Sequence, residues 1–114
     1  MDVSGIIGEE LLAVEFVQEY LQLRFAASLF VLYAWPHVLF PDFSVAYGEP
    51  EYRNALCAQI GDKVVAASLE EGDSLTIEFE NGTVFGLSLR EEDLDGPESG
   101  NYSESGSAGD AQEF

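Results

Sequence analysis

The most regular alternation of apolar and polar positions lies in "DSLTIEFENGTVFGLSLR", where Leu75, Ile77 and Phe79 alternate with Thr76, Glu78 and Glu80. That period of two predicts a strand with one face in the core. Asn81-Gly82 then marks a hairpin. A two-residue turn there would set Glu78 opposite Phe85 and Thr76 opposite Leu87, mixing polar and apolar on one face. A three-residue loop, Glu80-Asn81-Gly82 with Gly82 left-handed, pairs Phe79 with Thr83 instead. It gathers Leu75, Ile77, Phe79, Phe85, Leu87 and Leu89 on one side. Because a slip of one residue turns every side chain over, the pattern selects the three-residue loop. Just upstream, "KVVAASLEEGDS" reads as a strand ending in a turn at Glu71-Gly72-Asp73, which completes a three-stranded meander over Lys63–Arg90.

"EPEYRNALCAQIG" precedes the meander and predicts a short helix. Pro50 suits its first turn, Glu51 its positive N-terminal end, and Gly61 its stop. Tyr52, Leu56 and Ile60 would form the stripe facing the sheet. In the N-terminal third, "EELLAVEFVQEYLQLRF" has the composition of an amphipathic helix. Alternation at Val17, Leu21, Leu23 and Phe25, with its β-branched and aromatic residues, favours a strand. A hairpin of Val14–Phe25 and Leu29–Val38 is expected, turning at Ala26-Ala27-Ser28. Tyr33-Ala34-Trp35 would end its second strand, because Pro36 cannot donate to a central ladder.

Composition sets the frame around these elements. The chain has 114 residues, 46% of them hydrophobic and 12% aromatic, enough for one domain with its own core. From Glu91 onward, "EEDLDGPESGNYSESGSAGDAQEF" turns to Gly, Ser and acids, the composition of a disordered tail. The expected fold is therefore α+β: a mainly antiparallel sheet of about five strands with one short helix over residues 1–90, and a disordered acidic tail over 91–114.

Charge narrows the function. The formal net charge is −18, from 22 acids against Arg24, Arg53, Lys63 and Arg90. Eight acids fall after residue 90, so residues 1–90 carry 14 acids and four bases, a net of −10. Nucleic-acid binding, which needs clustered Lys and Arg, is disfavoured, as is an anionic membrane surface. A basic partner would be attracted. The N-terminus has acids where a secretory signal would be basic, and "FAASLFVLYAWPHVLF" is too short to span a bilayer and carries Pro36. These features point to the cytoplasm. The single Cys57, in the apolar "NALCAQIG", reads as a small buried core residue in a reducing compartment.

Chemistry finds little purchase. His37 with Asp42 is the nearest thing to a catalytic pair, but no nucleophile elbow accompanies it. One His and one Cys are too few for zinc, and "DLDGPES" lacks the spacing of a calcium loop. No Gly-rich loop leads into a Lys. The acid pairs Glu9-Glu10, Glu70-Glu71 and Glu91-Glu92 have neighbours that point apart in a strand, with no assignable cleft. No cofactor, metal or catalytic residue is expected.

The strings "FVQEYLQLRF", "YAWPHV", "GEPEYRNALCAQIGDKV", "LTIEFENGTVFGLSLR" and "GPES" together resemble a group of small bacterial α+β domain proteins. These share a Trp-Pro dipeptide after a hairpin, a short helix and a terminal meander; the group brings no established activity. By size, charge and class, the chain is also analogous to immunity proteins, which neutralise a toxin by binding it. What remains is recognition: Tyr33, Trp35, His37, Asp42, Tyr47, Glu49 and Tyr52 lie along one irregular, aromatic and acid-rimmed connection. Trp and Tyr on loops of a rigid sheet are favoured at binding hot spots. The expectation is a non-enzymatic, acidic protein-interaction module, an immunity- or inhibitor-type partner of a basic protein. The alternatives are a self-associating homodimer that buries the same loop, and an enzyme of unrecognised type.

Overall fold

The computed structural model describes residues 2–90, 100–104 and 112–114. Its order is a 3₁₀ turn (Ser4–Ile6), β1 (Leu11–Val17), β2 (Tyr20–Phe25), β3 (Ser28–Leu32), β4 (His37–Leu39), β5 (Ser44–Val45), α1 (Tyr52–Cys57), β6 (Val64–Glu70), β7 (Ser74–Phe79), β8 (Val84–Ser88), β9 (Gly100–Glu104) and β10 (Gln112–Glu113). Among the described residues all pairings are antiparallel, in two sheets of five strands ordered β1-β2-β3-β9-β10 and β5-β4-β8-β7-β6. The fold class is the α+β expected, but ten strands are split between two sheets that contribute to one apolar core.

The meander β6-β7-β8 follows the alternation. Phe79 N–H donates to Thr83 O at 2.8 Å and Gly82 N–H to Phe79 O at 2.9 Å, closing the three-residue loop. Gly82 sits at φ 92°, where a side chain would be strained. Leu75, Ile77, Phe79, Phe85, Leu87 and Leu89 are all buried. Asn81 locks this loop to the end of α1: its Nδ2 donates to Gln59 Oε1 at 2.7 Å and its backbone N–H to Asp62 Oδ2 at 3.1 Å.

That tie explains a correction in the helix. Tyr52, Ala55, Leu56 and Gln59 face inward, at a helical spacing of 3, 1 and 3. Ile60 is 44% exposed and Cys57 lies on the outside too, so neither belongs to the core. Gln59 can be buried because its amide is satisfied at both ends, Nε2 donating to Ala55 O at 3.1 Å and Oε1 accepting from Asn81. An apolar count favours Ile60; hydrogen bonding favours Gln59.

The N-terminal hairpin is corrected more deeply. Val14–Phe25 is two strands, β1 and β2, turning at Gln18-Glu19 with Val17 opposite Tyr20. The second hairpin turns at Ala26-Ala27, with Ser28, expected in the turn, already in β3; the Glu9 carboxylate braces it, accepting from Ala27 N–H (2.7 Å) and Ser28 Oγ (3.0 Å). Leu29–Val38 is not one strand either. β3 ends at Leu32, the chain crosses through Tyr33–Pro36, and Val38 belongs to β4 in the other sheet. Near β1 the sheets are stitched together: Leu11 N–H donates to Asp62 O (3.1 Å), Gly61 N–H to Leu11 O (2.7 Å) and Val64 N–H to Glu9 O (3.0 Å).

The domain does not stop at residue 90. Residues 100–104 pair with β3 and residues 112–113 pair with β9, so two pieces of the segment assigned to the tail complete the first sheet. The remainder of that segment lies outside the described residues. Two aromatics hidden in a polar composition make the difference: Tyr102 is buried with its ring 4.7 Å from Phe30, and the Phe114 ring is 6.4 Å from Phe30. Gly100 is required for this docking. A Cβ there would collide with the Val31 carbonyl and come within 3.1 Å of the Phe114 ring and 3.2 Å of Leu32 Cα. Gly100→Ala is expected to cost about 1–3 kcal/mol by overpacking and to raise amide exchange of residues 100–104 above that of β2; unchanged protection there would refute the close packing.

Candidate functional site

Four of the seven residues singled out in the sequence come together. Trp35 sits in the β3–β4 crossover, Tyr47 and Glu49 in the β5–α1 loop, and Tyr52 opens α1. They line a cleft of about 390 Å³, which Phe16 and Gln18 of the β1–β2 hairpin and Arg53 of α1 complete.

The aromatic rings form an ordered stack. Trp35 lies between Tyr47 (centroids 4.5 Å apart, planes 16° apart) and Phe16 (6.4 Å, 14°), an offset arrangement favoured by ring quadrupoles. Arg53 caps the far end, its guanidinium carbon 5.4 Å from the Phe16 centroid. Tyr52 stands nearly perpendicular to Tyr47, at 88° and 5.7 Å. Trp35 is thus a half-buried middle layer, and the open face of the row belongs to Tyr47, which is 60% exposed.

The backbone fixes Tyr47 in place. Glu49 N–H donates to Ala46 O (3.1 Å), Ala46 N–H to Glu49 Oε1 (3.3 Å), and Tyr52 N–H to Glu49 O (3.1 Å). Below it, the buried Tyr52 hydroxyl donates to Pro36 O at 2.6 Å, tying α1 to the Trp35-Pro36 crossover. Burial, with a smaller contribution from Tyr47, pushes the Tyr52 hydroxyl well above the usual tyrosine range, so it stays a donor. By contrast, the Trp35 indole N–H and the Tyr47 hydroxyl make no hydrogen bond among the described residues, and Arg53 makes no ion pair among them.

The other three sequence candidates lie elsewhere. Tyr33 packs edge-on against Tyr20 at 6.4 Å and accepts from Asn101 Nδ2 at 3.2 Å, at the end of the first sheet. Asp42 is exposed in the β4–β5 turn, beside the stacked pair Phe40–Phe43. His37 is exposed on β4, opposite Gly86, in a shallow groove with Thr76 and Ser88 that ends at the Arg90–Asp73 ion pair. His37 lines that groove, and Asp42 lines neither of these two clefts.

Sequence reasoning missed Phe16 and Arg53. Phe16 was counted within a continuous strand, and only the turn at Gln18-Glu19 swings it against Trp35. Arg53 carried one available signal, its place beside Tyr52 on a short helix with the aromatic face adjacent. Among the described residues there is no cluster of three or more His, Cys, Asp or Glu able to hold a metal, and no helix long and apolar enough to cross a membrane. The site can stack flat or apolar groups and donate hydrogen bonds, and its lining carries one carboxylate, Glu49, and one guanidinium, Arg53. Compared with protein-family models, curated proteins and solved structures, the chain matches none.

Proposed function

We propose that this protein is a non-enzymatic, acidic interaction module that takes a basic protein partner on the Phe16–Trp35–Tyr47 cleft, in the manner of an immunity or inhibitor protein. The observation that carries this reading is Tyr47: a large aromatic side chain, 60% exposed, held rigidly at the open end of a stacked row. Exposed aromatics on a pre-ordered loop lose little entropy on contact and make strong hot spots. The net charge of −18 would steer a cationic surface toward the chain. The exposed thiol of Cys57 suits a reducing compartment such as the cytoplasm.

The test is binding of cationic peptides and basic proteins across salt. Affinity is expected to fall at least about tenfold between about 50 and about 500 mM salt, because screening shortens the reach of exposed charges. Tyr47→Ala should cost about 1–2 kcal/mol of binding without unfolding the chain. Sedimentation separates the alternative: a doubled mass that survives high salt and is lost in Tyr47→Ala would replace this reading with a homodimer built on the same rings.

A further inference from the structure

We infer that the segment this cleft receives is a left-handed polyproline helix, presented by the partner next to an Arg or Lys. This inference rests on the interaction-module reading and specifies its ligand. Three observations carry it.

The first is shape. Tyr47 is 60% exposed and nearly parallel to the half-buried Trp35, while Tyr52 is buried at 88° to Tyr47, so the accessible aromatic surface is narrow and centred on Tyr47. Proline rings are compact and apolar and pack on small aromatic surfaces of this kind. The second is hydrogen-bond polarity. The Trp35 indole N–H, the Tyr47 hydroxyl and the Arg53 guanidinium are donors with no hydrogen bond or ion pair among the described residues, and Gln18 adds an amide to the wall. A polyproline segment has no N–H at its prolines and leaves every carbonyl unsatisfied, so it is an acceptor-rich ligand for a donor-rich cleft. An ordinary extended strand would bring as many donors as acceptors. The third is charge. Within the cleft Glu49 offsets Arg53, and Glu51 follows on the same loop in a chain of net −18, so the surroundings favour a basic residue flanking the prolines. The polyproline helix is also largely pre-ordered in solution, which suits a shallow site that can offer little compensation for ordering a ligand.

Trp35 is the only tryptophan in the chain, so its emission reports on this cleft alone. The probes are three: a proline-rich peptide of about ten residues with a terminal Arg pair, the same peptide with its prolines replaced by Gly and Ser, and cellohexaose. The proline peptide is expected to shift and quench Trp35 emission saturably, and the Gly/Ser peptide to bind at least about tenfold more weakly. Tyr47→Ala should abolish the emission response. By calorimetry, Trp35→Phe, which keeps the ring stack and removes the N–H, should weaken the proline peptide several-fold. Equal binding of the Gly/Ser peptide would overturn the proline assignment and leave the interaction module standing. An unchanged affinity in Trp35→Phe would likewise remove the carbonyl contact and the assignment with it. If neither peptide perturbs Trp35, or only the oligosaccharide does, both readings fail.

Discussion

Phe30→Ala should lower folding stability by about 3–5 kcal/mol, the cost of emptying a fully buried aromatic site. Phe30 is completely buried on β3, the middle strand of the first sheet, and three rings converge on it. Phe25 approaches edge-on at 6.0 Å, Tyr102 lies at 4.7 Å and Phe114 at 6.4 Å. Two of those rings are Tyr102 of β9 and Phe114, beside which the described residues are Gly, Asn, Ser, Glu and Gln, with no other large apolar side chain. Removing Phe30 therefore takes away both a core side chain and the anchor of the last two strands. Urea denaturation should show the lower midpoint, and hydrogen exchange should show residues 100–104 losing protection while the β7–β8 hairpin keeps it. Retained protection at Tyr102 would mean that backbone pairing alone holds β9, contrary to this account. Against a typical total of 5–15 kcal/mol, such a loss brings the domain near the edge of folding.

Tyr52→Phe should destabilise the protein by about 1–3 kcal/mol near neutral pH, although it removes a single oxygen. That hydroxyl donates the 2.6 Å bond to Pro36 O, and both residues are buried, so the variant takes this partner from a buried carbonyl. A second effect runs the opposite way with pH. The folded Tyr52 titrates above the unfolded tyrosine, because burial disfavours the phenolate. Below about pH 10 both states hold the proton and the bond contributes fully. As pH rises past that point the unfolded chain releases the proton first, and stability falls by about 1.4 kcal/mol per unit until the folded group also ionises. Tyr52→Phe should thus be less stable at neutral pH yet show a shallower decline in alkali than the parent. Chemical denaturation at several values between about pH 7 and about pH 11 reads both effects, and parallel curves would show that the hydroxyl is not held as described.

Much of the second sheet was legible because its signals are local. Asn81-Gly82 marks the turn, and the six apolar residues around it have only one register that buries them together. The first sheet was less so. Gln18-Glu19 carries no Gly, Pro, Asn or Asp, and Val17, Leu21, Leu23 and Phe25 keep the same parity on both sides, so one strand and two look alike. Tertiary contacts, invisible in a window of sequence, make that turn and also recruit Tyr102 and Phe114 from a stretch with the composition of a tail. The site shows the same division. Trp35, Tyr47, Glu49 and Tyr52 were found by residue type on one connection. Phe16 came from the β1–β2 hairpin and Arg53 from the position after Tyr52 on α1, whereas Tyr33, His37 and Asp42, close in sequence, were carried off when the chain changed sheets.

One boundary of the second sheet bears on how the chain behaves in a crowded solution. β6 is the outermost strand there, and beyond the stitch at Val64 no neighbouring strand of this sheet covers its free side among the described residues. Open edges of this kind template aggregation. Here the ladder is broken by a register shift between Val64 and Ala66, and the strand ends in Glu70 followed by Glu71. A second chain approaching edge to edge would meet an irregular backbone and a carboxylate pair, on a molecule already repelling its copies. Acidity therefore opposes amyloid-like growth at this edge, and that protection weakens as acid neutralises the carboxylates.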